Sequence, residues 1–306
     1  MFIVLSLLLL LSLLISSSNG YKLSSLKSSR RNENIRILSS STFETFISPE
    51  TTTTTSSSSS SSSSSDDSTT TSLPYLAERR PLKTAILALA ARTKRGEIAT
   101  SSEKELMSEL VSKLESYNPI ENPCQNEKSL GKWELIYSNT NLFRSSPFFM
   151  AARAVCKTEI EAERFNLFCD LHRDALSFTN MGKITQVVTE TSLTSEFETF
   201  VPIIAGLPII IKGTIMSNSE IVTKLNNSWI IMMDKVRIKE NTSNIPILNN
   251  LLDQFTGLPI RQLGNTLENI VNGYTNPKPE FRCYYIDTHM RISRDQDDNI
   301  FVYNRV

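Results

Sequence analysis

The sequence predicts a mainly β, α+β fold, an antiparallel barrel or sandwich entered through a helical hairpin. Three observations carry this expectation. Roughly eight short segments with strand patterning are separated mainly by polar turns, two amphipathic helical patterns precede them, and no strand–helix–strand alternation marks a parallel sheet. Of the 306 residues, the leader that ends near Ser72 supplies no core, which leaves the length of one barrel-type domain, residues 73–306.

The helical hairpin comes first. In residues 81–95, Leu82, Ile86, Leu89 and Ala90 recur at helical spacing, and Lys94-Arg95-Gly96 supplies a basic last turn and a glycine stop. In the second pattern Ser102 and Glu105 form a capping box, and Asn118-Pro119 ends the helix. Its apolar face collects Leu106, Met107, Leu110, Val111 and Leu114. Both stripes need a sheet to cover them. Residues 131–138 then alternate, with Trp133, Leu135 and Tyr137 on one face and Lys132, Glu134 and Ile136 on the other. Further strands are expected at 183–188, 193–200, 208–216, 220–225, 229–239, 281–287, 290–294 and 300–303, the last two joined by the polar turn 295–299. Residues 153–176 read as a helical excursion, and 245–272 as one or two helices between the later strands.

The leader has three parts. Residues 2–15 are apolar apart from two serines, too short a run to span a bilayer, and Ser18-Asn19-Gly20 follows as a small-residue cleavage site, so residues 1–20 read as a signal peptide. Residues 21–49 are rich in serine and in the basic residues Lys22, Lys27, Arg30, Arg31 and Arg36, the composition of an organelle transit peptide. Residues 51–72 are almost pure threonine and serine and read as a disordered spacer. The two signals in series resemble the bipartite presequence of algae with secondary plastids. The expected destination is the plastid, in stroma, plastoglobule or thylakoid association. The competing reading is a secreted protein with a polar linker.

Composition excludes several functions. Lysine plus arginine and aspartate plus glutamate both total 32, so no basic field would recruit nucleic acid. Four cysteines without a C-x-x-C pair and two histidines, His172 and His289, nominate no metal site. G-x-S-x-G, the Walker loop and the dinucleotide fingerprint do not occur. No catalytic residue, cofactor or metal is expected, and no transmembrane segment in the mature chain.

Gly131-Lys132-Trp133 resembles the opening motif of the lipocalin superfamily. Preceded by Thr93-Lys94-Arg95-Gly96 and Asn118-Pro119, and followed by Ser146-Pro147-Phe148-Phe149, it resembles more closely the plastid lipid-associated, or fibrillin, domain. The C-terminal runs Tyr284-Tyr285-Ile286-Asp287, Met290 through Asp297, and Ile300-Phe301-Val302-Tyr303 are similar to that family's closing hairpin. The resemblance covers about residues 82–306. The chain departs from it in the final turn, where Asp298 or Asn299 stands for glycine, and over residues 153–180.

The resemblance implies a lipocalin-like antiparallel barrel with helical insertions. It also implies a structural set of Gly131, Trp133 and a late arginine packed on the Trp133 ring. Arg291 and Arg294 are the candidates, and their offset of three sends them to opposite faces. Asp287 corresponds to a characteristic acidic position; it would meet a ligand headgroup, or else cap a turn or pair with Arg291. Candidate ligand contacts are Tyr137, Phe148, Phe149, Tyr285 and Asp287. Two apolar clusters, Phe143 with Phe148–Met150 and the run 200–211, are either core or a lipid-facing rim. Asp297 and Asp298 read as a solvated turn.

Three functions compete. The first is a non-catalytic plastid protein that binds or stores apolar lipid (isoprenoid, quinone, carotenoid or acyl) and rests on plastoglobule or thylakoid surfaces. The second is a scaffold delivering substrate to a plastid isoprenoid or quinone biosynthetic enzyme. The third is a lipid-modifying enzyme with Asp287, His289 or Glu134 as acid or base.

Overall fold

The computed structural model describes residues 73–175, 180–202, 210–243 and 257–306. The whole leader, the tip of the apolar run 200–211 and much of the expected helical segment 245–272 lie outside the described residues.

Helix α1 (Leu73–Arg92) and helix α2 (Ser101–Glu115) form the hairpin. α1 begins eight residues before the expected start and carries Pro81 inside it. α2 is capped by Thr100, whose side chain accepts from Glu103 N while Glu103 reaches back to the Thr100 N–H. The box expected at Ser102 and Glu105 is therefore corrected by one that starts two residues earlier; Thr-x-x-Glu satisfies the same rule and leaves Ser101 and Ser102 inside the helix. A turn with three consecutive left-handed residues, Lys94, Arg95 and Gly96, joins the helices.

Eight antiparallel strands follow: β1 (Gly131–Ser138), β2 (Asn180–Val188), β3 (Ser192–Pro202), β4 (Ile210–Lys224), β5 (Ser228–Ser243), β6 (Glu280–Ile286), β7 (Met290–Arg294) and β8 (Ile300–Arg305). Each pairs with the next, and β8 pairs back on β1, so the sheet closes on itself. The narrowest joint is β5 to β6, which share only the rungs Ser228–Arg282, Trp229–Phe281 and Ile230–Glu280. β4 replaces two expected strands. Ser217-Asn218-Ser219 reads as a turn in sequence, but its serines face inward and are buried within one continuous, irregular strand.

Between β1 and β2 the chain makes a 3-10 turn (Leu142–Ser145), then α3 (Pro147–Val155) and α4 (Glu159–Ala175). The single helical excursion expected at 153–176 is thus two helices, split at Cys156. Ser146 caps α3 with Pro147 at its first position, an entry that fixes the Ser-Pro-Phe-Phe run at a helix start. Helix α5 (Ile260–Ile270) lies against β5.

The expected mainly β, lipocalin-like barrel is corrected to a mixed α+β fold. Among the described residues, five helices of 20, 15, 9, 17 and 11 residues hold nearly as many residues as the strands. The space enclosed by the sheet is also not a plain apolar hollow. Trp133, Trp229, Phe281, Tyr303 and Arg291 fill part of it, all fully buried. A second core lies outside the sheet, where Leu82, Ile86, Met107, Val111 and Leu114 of the hairpin pack on Met290, Ile292, Ile300 and Val302.

Candidate functional site

Two β-bulges decide which side chains face inward. On β1 the register against β8 shifts between Leu135 and Tyr137, and on β6 the register against β7 shifts between Cys283 and Tyr285. Strict alternation would place Tyr137 with Trp133 and Leu135, and Tyr285 with Phe281 and Cys283. The extra residue in each bulge re-aims the tyrosine to the opposite face. Both tyrosines join the helical-hairpin core, while Trp133, Leu135, Phe281 and Cys283 stay in the interior core.

The interior carries a polar row. Trp133, Gln186, Ser195 and Ser217 are register neighbours across β1 to β4. Arg291 enters from β7 and donates from Nη2 to Gln186 Oε1, while Gln186 Nε2 donates to the Ser145 carbonyl at 3.0 Å. The Arg291 guanidinium carbon lies 4.3 Å from the Tyr303 ring centre, 5.1 Å from Trp133, 5.6 Å from Phe281 and 5.8 Å from Trp229. Rings on several sides offset part of the cost of burying the cation. Arg305 covers the other part of Trp133, 4.2 Å from its ring centre. Gly131 (φ +109) opens β1 beneath it; a Cβ there would meet Arg305 Nη1 at 2.9 Å. Arg294 takes the opposite face from Arg291 and clamps α2 to the sheet by pairing with Glu115 at 2.8 Å and Asp298 at 2.7 Å.

The 3-10 turn, α3 and α4 form a lid on this interior. Phe143, Phe149, Phe165 and Phe168 are buried in the same core as Trp133, and Phe149 stands 4.6 Å from Phe143 and 5.3 Å from the half-buried Phe148. His172 packs among Phe143, Phe149 and Phe168 at 4.8, 5.6 and 5.8 Å, and burial pulls its pKa down to about 4, so it serves there as a neutral aromatic. The lid is latched to the β7–β8 turn. Arg144 and Arg153 both pair with Asp297, at 2.6 and 2.7 Å, and Asp295 braces the turn by accepting from Asn299 and Asp297 N–H groups. The expectation that Asp297 is merely solvated is corrected. Asp298 takes the left-handed conformation (φ 63) in the place a glycine would occupy.

Asp287 sits in the β6–β7 turn. Its Oδ2 accepts from Lys83 at 2.6 Å and Tyr285 at 2.7 Å, and Oδ1 accepts from the His289 and Met290 N–H groups, each at 2.8 Å. It pairs with Lys83 rather than with Arg291, and Lys83 is a partner that strand-centred reading overlooks because it comes from α1. Partial burial would raise its pKa, but these four donors outweigh that and bring it down to about 2. Such a carboxylate has no lone pair left for a base's work. Its depressed pKa makes a stability contribution that is complete above the unfolded value near 3.8 and fades as pH falls toward 2. Asp287→Asn should therefore cost on the order of 1–2 kcal/mol at neutral pH. Urea denaturation of both forms should show the gap closing near pH 2; a gap independent of pH would rule out the ionised pair as its source.

The sequence-derived ligand set thus does not converge. Tyr137, Tyr285 and Asp287 belong to the hairpin side, and Phe148 and Phe149 to the lid. Of the other acid–base candidates, Glu134 lies 3.8 Å from Lys183, and His289 is exposed with Nδ1 2.8 Å from Thr288 Oγ1. The roles of Gln186, Ser195, Trp229 and the two lid arginines, Arg144 and Arg153, escaped sequence reading, since isolated residues whose partners lie on other elements carry no spacing signal. A cleft of about 640 Å³ opens between the α3–α4 junction and the segment after α5, lined by Val155, Lys157, Glu161, Glu268, Val271 and Tyr274 among others. Lys157 Nζ reaches across it to the Gly273 carbonyl at 3.1 Å. Among the described residues, no group of His, Cys, Asp and Glu could hold a metal ion, and no helix is long and apolar enough to cross a membrane.

The structure is thus a closed sheet with a lidded interior and helices packed on its outside. The PAP_fibrillin family model matches residues 80–304, and the chain belongs to that family. Membership supports a non-catalytic, lipid-associated role. No curated protein and no solved structure matches the chain.

Proposed function

We propose that this chain is a plastid protein that binds apolar lipid of the isoprenoid, quinone, carotenoid or acyl class and rests on plastoglobule or thylakoid surfaces. The observation that carries the surface part is the outer face of α4. Its inner face buries Phe165, Phe168 and Cys169, yet Ile160, Leu167 and Leu171, seven and four residues apart, stand 63%, 60% and 58% exposed. One helix thus offers apolar side chains on two sides, where a water-facing side calls for polar ones. On α5, Leu263 and Ile270 repeat the pattern, and Ile160 and Ile270 each adjoin in sequence a residue that lines the cleft. Burying a Leu or Ile side chain is worth roughly 1.5–3 kcal/mol, so three inserted together suffice for reversible adsorption.

Flotation with galactolipid vesicles and with triacylglycerol droplets tests this. The protein should float, and Ile160→Lys with Leu167→Lys should cut the floating fraction by about tenfold or more without loss of fold. Retention of the double variant on lipid would remove α4 from the reading, and its failure to pull down an isoprenoid-pathway enzyme would point to the scaffold role instead. The targeting part rests on residues 1–72 alone. A fluorescent fusion carrying them should enter plastids, and secretion of the fusion would defeat it.

A further inference from the structure

The interior holds a set of donors whose hydrogen bonds are incomplete among the described residues. Arg291 is fully buried, and its Nε and Nη1 have no partner among the described residues. The hydroxyls of Tyr303 and Ser195, on fully buried residues, also lack a well-formed hydrogen bond among the described residues, although the Tyr303 hydroxyl lies against Arg291 and Ser145. Strand pairing gathers them: Tyr303 stands opposite Arg291 on β8, and Ser195 stands opposite Gln186, to which Arg291 is bonded. The aromatic rings around the guanidinium stabilise its charge but accept no conventional hydrogen bond from its edge. The one buried carboxylate among the described residues, Asp295, is occupied in the β7–β8 turn. A buried cation with unmade hydrogen bonds, whose ionisable neighbours are the phenol of Tyr303 and the thiols of Cys283 and Cys124, is among the costlier arrangements in a protein interior.

Guanidinium, phenol and serine hydroxyl can all donate, so the complementary group is an anionic acceptor. The residues beside them on the same strands are aliphatic: Ile184 and Val188 flank Gln186, and Leu193 precedes Ser195, all in the interior core. We propose that the interior binds a long-chain monocarboxylic acid, its carboxylate at Arg291, Tyr303 and Ser195 and its chain among Ile184, Val188 and Leu193. This deepens the lipid-binding reading above by naming the head group, and rests on it. A guanidinium edge and two hydroxyls supply enough donors for two carboxylate oxygens, whereas an ester or a quinone offers no charge to set against the cation. Because the head-group residues are sealed, the acid enters when the lid opens, which requires the Arg144 and Arg153 pairs with Asp297 to part.

The test uses the full chain and a fluorescent polyene fatty acid displaced by oleic acid or by methyl oleate. Oleate should bind at least about tenfold more tightly than its ester, the size of a charge-assisted hydrogen bond. Arg291→Leu alters the packing of the whole core, so the decisive variants are Tyr303→Phe and Ser195→Ala, each of which removes one oxygen. Each should weaken oleate by about threefold to tenfold and leave the ester unchanged, with circular dichroism unaltered. Equal affinity for acid and ester, or variants that weaken both alike, overturns the proposal. Displacement of the probe by acetate as effectively as by oleate also overturns it, in favour of a small-anion site. Loss of acid selectivity with flotation intact defeats this inference alone, while selective oleate binding with no flotation defeats the surface reading alone.

Discussion

Gly96→Ala should destabilise the chain by about 3–5 kcal/mol, far more than an ordinary turn glycine. Gly96 has φ +93, and a Cβ added there would collide with the carbonyl oxygen of Ser138, a backbone atom that no rotamer change can move. The neighbours cannot yield either. The Ser138 N–H donates to the Arg95 carbonyl at 3.0 Å, and the Arg95 guanidinium donates to the Gly182 and Met181 carbonyls at 2.7 and 2.9 Å. The Thr-Lys-Arg-Gly turn is therefore the rivet that fastens the helical hairpin to the ends of β1 and β2. Gly273 provides the control: its φ is +82 but nothing lies within 4 Å of a Cβ there, so Gly273→Ala carries only backbone strain, about 1 kcal/mol. Urea unfolding of the two variants side by side checks the difference. Equal losses would mean that the turn is not a docking point.

That rivet shows what sequence could and could not disclose. Lys94-Arg95-Gly96 is legible as a helix stop because glycine and the basic last turn are local signals. Its contact with β1 and β2 is not, because Arg95 meets Met181 and Gly182 across more than 80 residues. The strands near Trp133, Phe281 and Ile300 were readable from alternation, which is also local. The same alternation misplaced Tyr137 and Tyr285, since a bulge is specified by pairing with another strand and leaves no mark in its own. Asp287 was legible as a turn-capping carboxylate, but its partner Lys83 comes from α1, and helical periodicity says nothing about where a lysine side chain will reach. The interior polar row was least readable. Gln186 and Ser195 look like ordinary strand residues until the sheet closes and leaves them with Arg291.

Trp229→Ala should cost about 3–5 kcal/mol, the range for emptying a large buried aromatic site. Trp229 is fully buried, donates from Nε1 to the Cys124 carbonyl at 2.9 Å, and stacks on Phe281 at 5.8 Å with the rings within 4° of parallel. It occupies the middle of the three rungs that join β5 to β6, the narrowest joint in the sheet. Truncation removes the stack, orphans a buried carbonyl and leaves Arg291 with one ring fewer at once. Trp229→Phe separates these contributions, because a phenyl ring keeps the stack and loses only the N–H donor, for about 1–2 kcal/mol. Chemical denaturation should rank the two variants in that order, and limited proteolysis of Trp229→Ala should show new cleavage between β5 and β6. If the two variants lose equal stability, the hydrogen bond to Cys124 and not the ring stack holds the joint, and the packing account of this seam is wrong.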